Sequence, residues 1–314
     1  MAQYLVTGGS GFIGSHICEG LISAGHSVRV LDNLSSGRRE NLKQLEGDID
    51  FVEGDILDSQ TLSRAMKGVE FVLHQAAIAS VQVSIEQPLI EQRTNSFGTL
   101  SILEAARKAD VRRVVFAASA SAYGDDPKVP KFETMVPKPV SPYAISKVSG
   151  EYYCRYYSME HGLESVCLRY FNVYGPRQDP ASSYSGVISI FVRKMLNDES
   201  PIIFGDGLQT RDFVFVNDVV LANILACEVV RAEGQIYNVG SGHSTNMLEL
   251  VAVLNRILGT EIVPEMTSGR AGDVRESLAD VSSARIELGY EPSANLEFGL
   301  AQVVEWMRQD KTNR

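Results

Sequence analysis

Cysteine is scarce in this chain of 314 residues, and the four present, Cys18, Cys154, Cys167 and Cys227, lie far apart with no CxxC spacing. That pattern offers neither a zinc site nor a disulfide framework, so no metal is expected and the cysteines are read as small buried apolar residues. Positive charge is also short: 29 Lys and Arg face 39 Asp and Glu, a formal net charge of -10. A broad nucleic-acid or anionic-membrane surface is therefore not expected, although local basic pockets are compatible with it. No apolar run reaches bilayer length, and the opening "MAQYLVTGGSG" has no basic segment followed by a long apolar one. A cytoplasmic location is expected. Repeats and low-complexity tracts are likewise missing.

What is present is 44% hydrophobic and 22% charged content, enough for one large domain or two coupled ones with a shared core. Short runs rich in Val, Ile, Leu and Phe ("YLVT", "SVRVLD", "IDFVEGD", "EFVLHQAA", "RRVVFAAS", "ESVCLRYF") alternate with helical patterns. This rhythm predicts an α/β fold, a Rossmann doubly wound parallel sheet with helices on both faces. The texture changes after Asn172, where "GPRQDPASSYSG" reads as a loop. A smaller, discontinuous mixed α/β lobe is expected there: residues 1–171 for the dinucleotide domain, with 209–240 returning to it, and 172–208 and 241–314 for the substrate lobe.

"VTGGSGFIGS" sets Gly8, Gly11 and Gly14 between the first predicted strand and helix. Glycine permits a tight turn and close backbone approach to a pyrophosphate, whose charge then meets the helix N-terminus. Asp32 ends the second strand, where a carboxylate can accept from both adenosine-ribose hydroxyls and would repel a 2′-phosphate. Asn33 follows, so NAD is favoured over NADP, with Arg38 and Arg39 close enough to weigh against that preference. Asp55 and Ile56 in "GDI" are candidates for the adenine amino group and ring face, an ordinary strand-end Asp being the alternative. In "SPYAISK", Tyr143 and Lys147 are four residues apart on a predicted helix and leave the same face. Two cations near a phenol, Lys147 and an oxidised nicotinamide, would favour its phenolate and suit Tyr143 to general-base work.

"GGSGFIGS", "LDN", "HQAA", "SPYAISK", "LRYFNVYGPRQ", "TRDFVFVND" and "RAGDVRESLAD", in this order, resemble the extended short-chain dehydrogenase/reductase family, specifically its nucleotide-sugar epimerases. The resemblance covers almost the whole chain. It implies that Ser119 hydrogen-bonds the sugar O4 beside Tyr143, that Lys147 also orients the nicotinamide ribose, and that Asn95 supports this network. It extends the cofactor set to Phe12, Ile13, Ser36, Gly37, Gln75, Ala76 and Ala77. Relatives that dehydrate or decarboxylate carry an acidic residue two positions before the tyrosine of the "YG" pair; here that position, facing the sugar, is Ser121, preceded by Ala120. Reversible oxidation and reduction at C4, through a transient 4-keto sugar that turns in the pocket, is what remains.

For the sugar nucleotide, the resemblance places Arg211 and Arg270 on the diphosphate, Asn172 on the diphosphate or sugar, and Asp273 on the uridine ribose. Val187 and Phe204 line the uracil pocket or pack the lobe core. Ser277 falls at a gatekeeper position where a small residue makes room for an N-acetyl group. Together with "HQAAIASV" and "RQDPASSYSGVIS" this is similar to the bacterial UDP-N-acetylglucosamine 4-epimerase branch, with UDP-glucose not excluded. UDP-glucuronate epimerisation, another nucleotide-sugar oxidoreductase activity and a non-catalytic NAD-sensing protein are the rival readings. The helical segments 91–108 and 143–157, with Tyr152, Tyr153, Tyr156 and Tyr157, are where such relatives dimerise, so a homodimer is expected.

Overall fold

The structure, a computed structural model, describes residues 2–179, 186–230, 232–269 and 275–312. Its strands are β1 (Gln3–Thr7), β2 (Ser27–Asp32), β3 (Ile49–Glu53), β4 (Phe71–His74), β5 (Arg113–Ser119), β6 (Glu164–Tyr170), β7 (Asn172–Tyr174), β8 (Ile202–Phe204), β9 (Thr210–Arg211), β10 (Phe213–Phe215), β11 (Glu233–Val239), β12 (Thr245–Asn246) and β13 (Glu265–Thr267). Its helices are α1 (Phe12–Ser23), α2 (Ser59–Ala65), α3 (Val81–Glu86), α4 (Pro88–Gln92), α5 (Gly98–Lys108), α6 (Pro142–His161), α7 (Val187–Met195), α8 (Val216–Glu228), α9 (Met247–Leu258), α10 (Ser282–Leu288) and α11 (Leu296–Thr312).

Seven strands form one sheet in the order β11-β6-β5-β4-β1-β2-β3, every neighbouring pair parallel. Alternation along each strand feeds two separate cores. Tyr4 and Val6 of β1, Val28 and Val30 of β2, and Val115 of β5 pack on one face; Leu5, Leu31, Val114 and Phe116 pack on the other. Both faces are covered, which is why these strands read as nearly continuous apolar runs. The four cysteines are all buried and unpaired, as their isolation in sequence suggested.

The strand order reverses between β1 and β4, and the loops after β1, β4 and β5 open there into a crevice. Beyond β6 the chain leaves the sheet: β7 pairs with β10, β8 with β13 and β9 with β12. A third core then gathers Phe191 and Val192 of α7, Leu250 and Leu254 of α9, Val303 and Met307 of α11, and Phe213 and Phe215 of β10. β11 returns to the edge of the large sheet beside β6. No helix among the described residues is long and apolar enough to cross a membrane.

Candidate active site

The crevice is a cleft of about 1950 Å³, and one wall is the glycine turn between β1 and α1. That turn has no room for side chains. A Cβ on Gly8, which has φ +67°, would stand 2.8 Å from the Ala76 main chain, and one on Gly14 2.2 Å from the Gly8 carbonyl oxygen. The first turn of α1, Phe12 to Gly14, lines the cleft, and no side chain caps its N-terminus at Gly11. Uncapped N–H groups beside a cavity are a ready anion site.

Asp32 stands at the end of β2, 7% exposed, its two oxygens accepting from Ser10 N at 2.9 Å and Leu34 N at 2.8 Å. Ser36 and Gly37 line the cleft beside it, and Gly37 is pressed so close to the Asp32 carboxylate that a Cβ would meet it at 2.9 Å. Asp55 accepts from Leu57 N at 2.8 Å and from Asn33 Nδ2 at 3.0 Å, and both acid and amide face the cleft with Ile56. Neither arginine that bears on the choice of dinucleotide is idle. Arg38 is paired with Asp179 at 2.5 Å, while Arg39 lies over the Phe51 ring at 4.2 Å and 4.0 Å from Glu53.

The segment 176–179 crosses the outer side of α1: Pro176 O meets His16 Nε2 at 3.0 Å, and Arg177 donates to Glu19 at 2.5 Å. A glycine cradle, a carboxylate at the end of β2 and an uncapped helix start on one cleft fit a dinucleotide.

On the floor, β5 ends at Ser119 and α6 supplies Tyr143 and Lys147, and all three line the same cleft as Gln75, Ala76 and Ala77 after β4. Ser141 caps α6 by accepting from Ala144 N at 3.2 Å, which fixes the helix start two residues before Tyr143. Lys147 Nζ donates to Ala117 O at 2.8 Å and lies 5.8 Å from the centre of the Tyr143 ring. Burial lowers the Lys147 ammonium to about 8, opposed by the Glu91 carboxylate.

Tyr143 is under opposing influences from the chain. Burial pushes its phenol above the ordinary value, a hydrogen bond from Ser119 works the other way, and Glu91 adds to the rise. Within the chain, desolvation of a charged phenolate is the largest of these influences.

Two further residues stand behind the cleft lining. Asn95 is buried beneath the wall instead of lining it: its side chain accepts from Ile78 N at 2.8 Å and donates to Ile78 O at 3.1 Å, pinning the segment that does line the cleft. Ser121 is half-buried behind Ser119, its amide donating to Ser119 Oγ at 3.1 Å and its own Oγ shielded and unpaired. Of the substrate residues, Asn172 lines the cleft. Ser277 N donates to Thr210 O at 3.2 Å, next in chain to Arg211 on β9; with Phe204 on β8 and Val187 at the start of α7 these two residues lie outside the described lining. Arg270 and Asp273 lie outside the described residues.

Sequence reasoning missed Glu91, Arg177 and Asp179. Each has an ordinary helix or loop context, and only its partner in space gives it meaning.

A seven-stranded parallel sheet whose switch point holds a glycine turn, a Ser–Tyr–Lys floor and an Asp at the end of β2 defines a dinucleotide-dependent enzyme of the short-chain dehydrogenase/reductase type. Residues 4–240 match the NAD dependent epimerase/dehydratase family, and the chain belongs to it. It is 37% identical, with a TM-score of 0.94, to the UDP-N-acetylglucosamine 4-epimerase of Methanobrevibacter ruminantium in complex with UDP-N-acetylmuramic acid, over 98% of this chain and 99% of that one. It is 43% identical, with a TM-score of 0.93 and the same coverage, to the UDP-glucose 4-epimerase of Thermotoga maritima with UDP-glucose. The Thermus thermophilus UDP-glucose 4-epimerase in complex with NAD is 38% identical, with a TM-score of 0.89, again over 98% of this chain and 99% of that one.

Proposed function

We propose that this protein is an NAD-dependent UDP-sugar 4-epimerase that interconverts UDP-N-acetylglucosamine and UDP-N-acetylgalactosamine and also accepts UDP-glucose and UDP-galactose. The observation that carries the reading is the convergence of Ser119, Tyr143 and Lys147 on one cleft with the glycine turn. In it, residues 1–171 and 209–240 hold the dinucleotide, and 172–208 and 241–314 hold the sugar nucleotide.

NAD, when bound, supplies a reversible acceptor for two electrons from the sugar C4. The chain does the rest. The first turn of α1 takes the pyrophosphate, Asp32 the adenosine ribose, and Asn33, Asp55 and Ile56 the adenine side. Ser119 fixes the C4 hydroxyl, whose proton the Tyr143 oxygen removes and later returns. Lys147, held by Ala117 O, supplies a fixed positive charge beside the phenol and a donor to the nicotinamide ribose. The Ala120–Ser121 pair places no carboxyl beside the sugar, so water is not eliminated and the 4-keto stage is reduced again. Arg211 and Asn172 hold the diphosphate, and the small Ser277 beside β9 leaves space for an N-acetyl group. A homodimer through α4, α5 and α6 completes the reading.

Proton NMR of the purified protein incubated separately with UDP-N-acetylglucosamine, UDP-glucose and UDP-glucuronate tests it. Stable epimer mixtures from the first two, without added dinucleotide, are expected. Conversion of UDP-glucuronate alone would refute the role given to Ser277, and no turnover of any of the three would leave a dinucleotide-binding protein without catalysis.

A further inference from the structure

Glu91 is fully buried, at 0% exposure, on the short helix α4 directly under the catalytic helix. Its carboxylate takes Ser146 Oγ at 2.6 Å and Asn95 Nδ2 on one oxygen, and Gln92 Nε2 at 2.9 Å on the other. All three donors are neutral. Ser146 Oγ also lies 2.9 Å from Tyr143 O and is the immediate neighbour of Lys147, so the anion is wired to the segment that carries both proton-handling groups. A buried carboxylate is strongly disfavoured unless a cation answers it. The Lys147 ammonium, 4% exposed and one residue beyond Ser146 on α6, is a buried cation whose charge Glu91 favours without a direct ion pair.

The surroundings leave the electrostatics to these three groups. His74 on β4 is held neutral by burial, with its pKa lowered to about 3. Glu151 of α6 and Arg169 of β6 neutralise each other through bonds of 2.7 and 2.8 Å. Tyr123 and Tyr170 are buried phenols pushed up by desolvation, and Glu86 and Arg93 are exposed. Asn95 sits on a π-helical turn, Arg93–Phe97, between α4 and α5, an irregularity frequent at functional sites.

We propose that Glu91 is a positioning residue of this site, a buried anion that keeps the lysine charged and the phenol protonated until the cleft is filled. The inference rests on the reading of Tyr143 and Lys147 as the proton-transfer pair. Removing the negative charge makes the ammonium easier to deprotonate and the phenolate easier to form, so both equilibria move to lower pH.

Glu91→Gln is the direct test, because its carbonyl oxygen can still take Ser146 and Asn95, and Gln92 can turn its amide toward Pro142 O, which it already meets at 2.8 Å. Both limbs of the pH–rate profile are expected to shift to lower pH by about one unit, the scale of a single nearby charge. Side-chain carbon NMR of labelled lysine, with Lys147 identified by its loss in Lys147→Met, is expected to show its midpoint falling by a similar amount. Glu91→Asp keeps the charge and is expected to leave both readouts in place. Unmoved limbs and midpoint in the glutamine variant, or an aspartate variant that shifts as far as the glutamine one, would overturn the proposal. The lysine titration needs no sugar, so it judges Glu91 even if the protein epimerises none.

Discussion

The Lys147 ammonium is held by the Ala117 main-chain carbonyl at 2.8 Å, one strand residue short of the bend that presents Ser119. A backbone acceptor leaves the lysine no freedom to follow the phenol, and Phe116 beneath it, 5.1 Å from Nζ, excludes water on that side. The cation is therefore a fixed feature of the floor. Replacing it should cost chemistry more than binding. Lys147→Met is expected to lower kcat by about 10²- to 10⁴-fold, the range of a lost acid–base contribution, and Tyr143→Phe by at least as much. Epimer formation followed by NMR at saturating sugar nucleotide checks both; a KM effect with kcat intact would contradict the assignment.

Much of this site was legible in the chain. The six apolar runs are the first six strands of the sheet, and Gly8, Gly14, Asp32, Tyr143 and Lys147 carry signals of spacing that survive without coordinates. Contacts between distant segments were not. Arg38 and Asp179 are 141 residues apart, and nothing local marks either as a partner. The resemblance gave Asn95 a supporting role, but nothing in its motif shows that its amide joins Ile78 to Glu91. The burial that opposes a Tyr143 phenolate was hidden for a related reason: charge is visible in sequence and burial is not. Of the tyrosines assigned to a dimer face, Tyr157 is buried in the core and Tyr153 packs against it, while Tyr152 and Tyr156 are exposed.

The glycine turn makes a sharp prediction about cofactor retention. A methyl group at Gly14 would lie 2.2 Å from the Gly8 carbonyl oxygen, main chain that cannot rotate away. Gly14→Ala must therefore deform the cradle, while Asp32→Ala removes a carboxylate whose charged hydrogen bonds are worth about 1.5–3 kcal/mol each. Both variants should purify with at least roughly tenfold less NAD per chain, by the tenfold-per-1.4-kcal/mol relation. Nucleotide released on denaturation and quantified by absorbance gives the answer, and undiminished content would refute the assignment of the turn.

Two buried histidines set a pH limit on stability. Burial lowers His16 from 6.5 to about 4, reinforced by Arg177, and His74 from 6.5 to about 3, reinforced by Lys147. The unfolded chain takes up these protons near pH 6.5 while the folded one refuses them, so stability is full above that pH and falls as the pH is lowered toward 4 and then 3. Urea midpoints between pH 7.5 and 5 should decline, and His74→Gln should flatten the slope by about one proton, its amide being able to replace the contacts to Thr7 and Thr99. An unchanged slope would mean that the ring is protonated in the fold.

The Glu151–Arg169 pair lies behind the catalytic helix at 4% and 1% exposure, with the guanidinium also 4.8 Å above the Tyr123 ring. Burial works against the arginine charge, yet the two bonds from Glu151 hold its pKa well above the ordinary value. Such pairs are poor sources of net stability but costly to break from one side. Glu151→Gln is expected to destabilise the fold by about 3–5 kcal/mol, whereas Glu151→Leu with Arg169→Met should lose less than either change alone. Denaturant midpoints at constant m-value separate the outcomes.

The free face of α6 bears on assembly. Ile145, Tyr152, Tyr156 and Met159 recur at helical spacing on the side away from the sheet, and Leu89 at 84%, Ile90 and Phe97 extend the same exposed apolar surface over the neighbouring helices. The opposite face of α6 is spent on Ala144, Val148, Cys154 and Tyr157, so this seam has no partner within the described chain. A continuous apolar surface on two adjacent helices is what a second copy covers in a four-helix contact. Tyr152→Asp with Leu89→Arg places charges in that contact, far from the cleft lining. Light scattering is expected to report a dimer for the unaltered protein and a monomer for this variant. An unaltered protein that is already monomeric at micromolar concentration would remove the dimer from the account without touching the chemistry.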